Sequence, residues 1–467
     1  MAMVKALNSL LVRVEALTVV MMLILLSLTA IDNVCAQGQD SEEDLTRILS
    51  ELDFNAVKQH VKHLSSLGSR MTGYLGSYRA ASYIAETLRS YGLEVELHNY
   101  SIAMPIEEEC YIEALEPDRI RVKAHMLWPN GVSLGLTPVD GLVGRLIYAG
   151  DGELEEIRGK PLGGSIVLLE FNSGLNWIEL VNLGARAVVF IEPRDTTHIE
   201  SLKKTVPVSL PIPRVYVNAT VGGILKRLAE REATVRLTLR ASWRQVEGVN
   251  VIGKLKGREM PSEVIVISAH YDSWSVVPAV SPGTEESLGV ASLLELARVF
   301  SLHRPLRTIW FVAFSGYWQA VAGATEWVEA YAFKEEVLNG SLKLWIQLDL
   351  DLSTDSDAIE ALYTTPPGFY AGTAEFASAF TPFSLIMQNY LRRIDDYFAK
   401  RYGKSYEELF RLSLFGGRFL WGTQPGIVQP VGLYVLESLP LLQTCLLYTS
   451  DAADDGESVD LGGRRII

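Results

Sequence analysis

The chain has 467 residues, 48% hydrophobic and 21% charged, enough apolar material for a buried core and enough length for two or three domains. Its formal net charge of -14 excludes the basic footprint that nonspecific binding to phosphates needs, so no nucleic-acid partner is expected. Three cysteines, at 35, 110 and 445, make no disulfide framework.

The first segment carries Lys5 and Arg13, then the apolar run Leu17 to Ala30, then Val34-Cys35-Ala36. This pattern predicts a signal peptide over residues 1–36 and an exported chain, extracellular or at the cell surface. The run is short beside the roughly 20 residues of a membrane span, so an uncleaved anchor is the second reading. The sequons Asn218-Ala219-Thr220 and Asn339-Gly340-Ser341 agree with export.

Residues 37–109 open an α/β domain: helices over Leu45–Leu52, Val57–Leu67 and Ala80–Tyr91, a Gly-Ser-Arg turn, and a strand over Leu93–Tyr100. His60 and His63, at spacing three on an amphipathic helix, suit surface or packing roles. From Cys110 to Arg244 short strands punctuated by Gly and Pro, among them Gly144–Tyr148, Ser165–Glu170, Ala187–Ile191 and Val215–Val217, predict a β-rich insert.

Residues 245–443 resume the α/β rhythm, with strands Val264–Ala269, Thr308–Phe314 and Leu344–Leu348 alternating with helices Glu285–Phe300 and Gln319–Ala332. Apolar strands alternating with helices predict a mixed, mostly parallel sheet sandwiched by helices. Sites in such sheets lie at the carboxyl edge, where the three strands deliver His270, then Tyr317 and Trp318, then Asp349. Glu326 and Glu329, one turn apart, suit a solvated helix face. Residues 383–412 predict a charged helical hairpin. From Leu441 an apolar pattern gives way to an acidic, Gly-rich tail without periodicity, so residues 444–467 are expected to be non-native and the natural chain to continue differently.

His270 and Asp272 at a strand end, followed by Glu285 and Glu286, could close a metal site. The bland alternatives stay open. After Thr284, acids in a first helical turn favour the helix dipole, a strand-end histidine needs only a hydrogen bond, and Asp349 and Asp351 precede turn residues.

The segments LGSRMTGYLGSYRAASYIAETLRSYGLEVE (67–96), GVNVIGKLKG (248–257), VIVISAHYDSWSVVPAVSPGTEESLGVASLLELAR (264–298), TIWFVAFSG (308–316) and WIQLDLDLS (345–353) resemble the di-zinc exopeptidases of peptidase clan MH. That superfamily holds leucyl aminopeptidases, glutamate carboxypeptidase II and nicastrin. Residues 110–244, with GRLIYAGDGELEEIRGKPLGGSIVLLE, LGARAVVFIEP and LPIPRVYV, resemble a protease-associated domain.

The resemblance implies two zincs bridged by an Asp and a water, with an adjacent Glu-Glu pair supplying a base and a ligand. Counting from Gly283, the bridging position falls on Glu286; counting back from Gly289, it falls on Glu285. At the Glu-Glu position stand Tyr317 and Trp318: Trp cannot ligate zinc, and Tyr, with a reference pKa near 10, is a poor base. Asp349 matches the later carboxylate, and no His follows His303. The resemblance thus implies one possible zinc on His270, Glu286 and Asp349, with Asp272 orienting His270, Tyr317 at the lost base position and no second metal. The expected function is a zinc-aminopeptidase-like protein with weak or no peptide hydrolysis, the alternative an active metalloaminopeptidase. Expected partners are peptides or protein N-termini, with a membrane tether or complex possible through further C-terminal sequence.

Overall fold

The computed structural model describes residues 48, 50–117 and 119–352, and the backbone of two short strands, Ala358–Ala361 and Arg411–Leu414. The expected signal peptide, the acidic tail and most of the expected 383–412 hairpin lie outside the described residues. Among the described residues no helix is long and apolar enough to cross a membrane.

The strands are β1 Glu94–Glu116, β2 Ile120–Lys123, β3 His125–Met126, β4 Leu142–Tyr148, β5 Ile166–Glu170, β6 Ala187–Ile191, β7 Arg214–Val217, β8 Thr234–Leu255, β9 Met260–His270, β10 Arg307–Phe314 and β11 Lys343–Asp349. The longer helices are α1 Phe54–Ser65, α2 Leu75–Ser90, α3 Asn176–Asn182, α4 Ala219–Glu230, α5 Leu288–Leu302 and α6 Ala322–Tyr331. They form a mixed α/β architecture in which one sheet runs β11-β9-β10-β8-β4-β5-β6-β7-β3.

β9, β10 and β11 are parallel, and β10 is buried along its whole length. Continuous apolar runs suit this setting, because both faces are covered. Alternation sorts the side chains. Ile265, Ile267 and Ala269 pack on α5 and α2, whereas Val264, Val266, Trp310 and Val312 pack on α6 through Trp327, Val328 and Tyr331.

β1 and β8 pair antiparallel from Glu94 opposite Lys254 to Glu116 opposite Thr234, with register shifts between Glu107 and Glu109 and between Ala114 and Glu116. Near one end Val251 and Leu255 belong to the first core, and at the other Ile112, Ala114, Val235 and Leu237 belong to a second. In the second body β4, β5, β6 and β7 are parallel. Ile166, Leu168 and Val189 pack on α4; Val167, Leu169, Val188 and Phe190 pack on α3. Helices on both faces thus join the strands expected of residues 110–244. Val276 and Val277, from the segment after β9, are buried in the cluster that contains Phe171, Trp177 and Phe190. The two bodies meet there, beside the end of β9.

Candidate functional site

The site grows from the carboxyl end of β9. The buried chain delivers His270, then leaves the sheet through Tyr271, Asp272 and Ser273, all buried. Arg70, in the turn between α1 and α2, fixes this exit. Its Nε donates to the Tyr271 carbonyl at 2.9 Å, Nη2 to the Gly283 carbonyl at 2.8 Å and Nη1 to the Pro282 carbonyl. Its backbone N–H also donates to the Ser281 carbonyl at 2.9 Å. A buried guanidinium therefore gathers both ends of the 271–283 segment. Burial lowers Arg70 to about 10, against the opposing pull of Glu286 and Asp272.

Asp272 is fully buried and holds three elements together. Its Oδ2 accepts from Thr72 Oγ1 at 3.0 Å and from the Tyr317 backbone N–H at 3.2 Å. Its Oδ1 lies 3.5 Å from His270 Nδ1, which also meets the Asp272 carbonyl at 3.2 Å. Both contacts fall on Nδ1, and Nε2 points to the other side of the ring. There Asp351 Oδ1 lies 3.8 Å away. Burial disfavours the imidazolium, but Asp272 and Asp351 outweigh it and lift His270 to about 10.

Tyr317, 5% exposed, stacks on His270 with ring centroids 4.2 Å apart and planes 12° from parallel, and its hydroxyl donates to Asp351 Oδ2 at 3.3 Å. Trp318 meets His270 edge-on at 6.3 Å and Trp274 at 6.0 Å. Trp274 in turn contacts Trp128 at 6.5 Å and His198 at 5.9 Å, both from the second body. A row of rings thus runs from the second body to the end of β9.

Glu286 lies in a 3-10 turn, Glu285–Ser287, just before α5, and its Oε1 accepts from the Trp274 backbone N–H at 3.3 Å. Burial lifts its carboxyl to about 7, opposed by His270, the Trp274 N–H and Arg70. Neither acid receives a cap from Thr284, whose side chain makes no capping bond. Of the two candidates for the bridging position, Glu286 faces the site and Glu285 is exposed.

Of the expected site residues, His270, Asp272 and Tyr317 come together and Glu286 stands close to them. Asp349 takes a different place. Its Oδ1 accepts from Ser268 Oγ at 2.8 Å, because β11 pairs with β9 in a register that sets Asp349 opposite Ser268. Continued by two residues, that register brings Asp351 level with His270, and Asp351 is the carboxylate found there. Period-two alternation puts Asp349 and Asp351 on one face, but the choice between them depends on register, which sequence does not specify. Arg70, in the Gly68-Ser69-Arg70 turn, likewise carries no sequence signal of the carbonyls it reaches.

A catalytic zinc takes three protein ligands and an open position. Among the described residues no three His, Cys, Asp or Glu side chains gather to hold a metal. Asp349 Oδ1 is held by Ser268, while Tyr317 and Trp318 stand at the positions expected for the base and the other ligand, and Trp has no lone pair to give a metal. The described donors do not fit the two-zinc centre that the resemblance implies.

Residues 250–393 match the model of peptidase family M28. The chain is 35% identical over 122 residues to a "Probable zinc metalloprotease" of Pyrenophora teres f. teres (strain 0-1), covering 25% of this chain and 24% of that protein. It is 34% identical over 127 residues to transferrin receptor protein 1 of Gallus gallus, covering 26% and 15%. With carboxypeptidase Q of Bos taurus it shares 24% identity over 293 residues, 57% of this chain and 59% of that one. The matched stretch thus spans about a quarter or less of the first two relatives. Among solved structures, a zinc aminopeptidase from Bacillus subtilis aligns with TM-score 0.46 and 19% identity over 86% of this chain and 96% of that one.

Proposed function

We propose that this protein is an exported relative of the zinc aminopeptidases whose former catalytic cleft binds peptides or protein N-termini and hydrolyses them weakly or not at all. The observation that carries this reading is the Tyr317 ring lying flat on His270 with Trp318 at its edge. These two residues occupy the positions where the resemblance calls for a general base and a metal ligand. Loss of a general base alone costs about 10² to 10⁴ in rate. Loss of a Lewis-acid metal adds several kcal/mol to the barrier.

Cleavage of N-terminal residues on one or two zincs is the second reading. The M28 match and the site-facing Glu286 favour it. The second body, read as a protease-associated domain, walls the cleft through Trp128 and His198, and a membrane tether supplied by further sequence would hold the cleft at the cell surface.

Elemental analysis of the full chain, combined with aminoacyl-nitroanilide hydrolysis, separates the two readings. Substoichiometric zinc with no turnover above background is expected. Two zincs per chain with robust turnover would overturn the proposal.

A further inference from the structure

Two of the three sequons, Asn218-Ala219-Thr220 and Asn339-Gly340-Ser341, take no part in the site, yet the fold presents both at its surface. Asn339 follows the short helix Glu335–Leu338 and is exposed. Its Oδ1 accepts from the Ser341 backbone N–H at 2.9 Å, and Ser341 Oγ donates to the Glu336 carbonyl at 3.1 Å. Between them Gly340 turns with φ +76°, and a side-chain carbon placed there would meet nothing within 4 Å. Leu338 and Phe333, 46% and 53% exposed, leave apolar surface on the same excursion. Asn218 caps α4, accepting from the Val221 N–H at 2.9 Å, and Asn218, Ala219 and Thr220 are all exposed.

In these two sequons the asparagine accepts through Oδ1, and Nδ2 has no partner among the described residues. The buried Asn130 and Asn250 contrast with this: their Nδ2 atoms donate to the Leu210 and Gly323 carbonyls, and neither stands in a sequon.

We propose that Asn339 and Asn218 are acceptors for N-linked glycan, an inference that rests on the export reading. In the transfer, Nδ2 displaces a lipid diphosphate from C1 of an activated sugar. The C–N bond forms as the C1–O bond breaks, and Nδ2 releases one proton. The amide carbonyl is untouched, so the Oδ1 bonds to Ser341 and Val221 survive modification. At Asn339 the glycan would also cover the apolar surface of Leu338 and Phe333.

The test uses the full chain, secreted from a eukaryotic host, with Asn99→Gln in the background. That change removes a third sequon, Asn99-Tyr100-Ser101, which lies mid-strand in β1. Glycopeptide mass spectrometry should find glycan at both asparagines, and Asn339→Gln and Asn218→Gln should each remove one step of an endoglycosidase-sensitive mass shift. Secreted protein with both asparagines unmodified would overturn the proposal. If the chain is not secreted on its own leader, it is placed behind a heterologous cleaved leader. Glycan at both sites then upholds the acceptor assignment while sinking the export reading, and unmodified asparagines overturn the assignment itself.

Discussion

Replacing Arg70 with alanine should loosen the segment that carries Asp272 and leads to Glu286. The side chain donates to three carbonyls, of Tyr271, Pro282 and Gly283, and is itself fully buried. Leaving a buried acceptor without its donor costs about 1–3 kcal/mol, so three give about 3–9 kcal/mol before relaxation. Water entering the vacated space recovers part of that, while Asp272 and Glu286 lose a compensating cation nearby. The expected cost is about 3–5 kcal/mol, the range seen when one partner of a buried charged arrangement is removed. Lysine keeps the charge but not the planar fork, so Arg70→Lys should cost about 2 kcal/mol. Urea unfolding of the full chain followed by tryptophan fluorescence reads both, and Trp274 lies within the clamped segment. A cost under about 1 kcal/mol for Arg70→Ala, or a lysine variant equal to the parent, would refute the clamp.

Ala320 is exposed with φ +55°, a conformation that costs a non-glycine residue about 1–2 kcal/mol, so Ala320→Gly should raise stability by about 0.5–1 kcal/mol after the entropy of glycine in the unfolded chain is subtracted; a lowered thermal midpoint would contradict this. His60 is buried, 2.6 Å from the Tyr83 hydroxyl, and burial lowers it from 6.5 to about 4. Because the unfolded chain takes up this proton first, the His60 contribution is full above pH 6.5 and declines by up to about 3 kcal/mol as pH falls toward 4, and His60→Gln should flatten that part of the urea-stability profile. Tyr317→Phe should cost about 0.5–1.5 kcal/mol through its hydrogen bond to Asp351, whereas Tyr317→Ala should cost more than about 3 kcal/mol by emptying the space over His270; equal effects of the two in thermal unfolding would argue against the stacked arrangement.

The sheet was largely legible because Val264–Ala269 and Thr308–Phe314 are unbroken apolar runs whose burial on both faces follows from composition. The ribbon was less so. The expected strand Leu93–Tyr100 continues to Glu116, since its further residues, Glu107 and Glu109 among them, are held by pairing with β8 rather than by an apolar pattern. The helix expected from Gln319 starts at Ala322, because Ala320 and Val321 adopt left-handed backbone that neither residue type announces. At the site, the strand-end rule delivers His270, Tyr317, Trp318 and Asp349 to one rim, since a parallel sheet gathers its carboxyl termini there, whereas the roles of Asp272 and Tyr317 rest on the resemblance. Asp351 and Arg70 needed information that a single sequence withholds, namely the β9 to β11 register and which distant carbonyls a buried guanidinium reaches.

The β1 and β8 ribbon has a mechanical consequence. A domain on a flexible tether can swing aside, but here two hydrogen-bonded strands run unbroken from one core into the other, and rotation of the second body must bend a sheet. Trp128 and His198 are therefore carried on a stiff lever, with the register shift beside Glu107 as its weakest joint. The spacing of the two cores is therefore held by backbone hydrogen bonds along the ribbon and not left to a hinge.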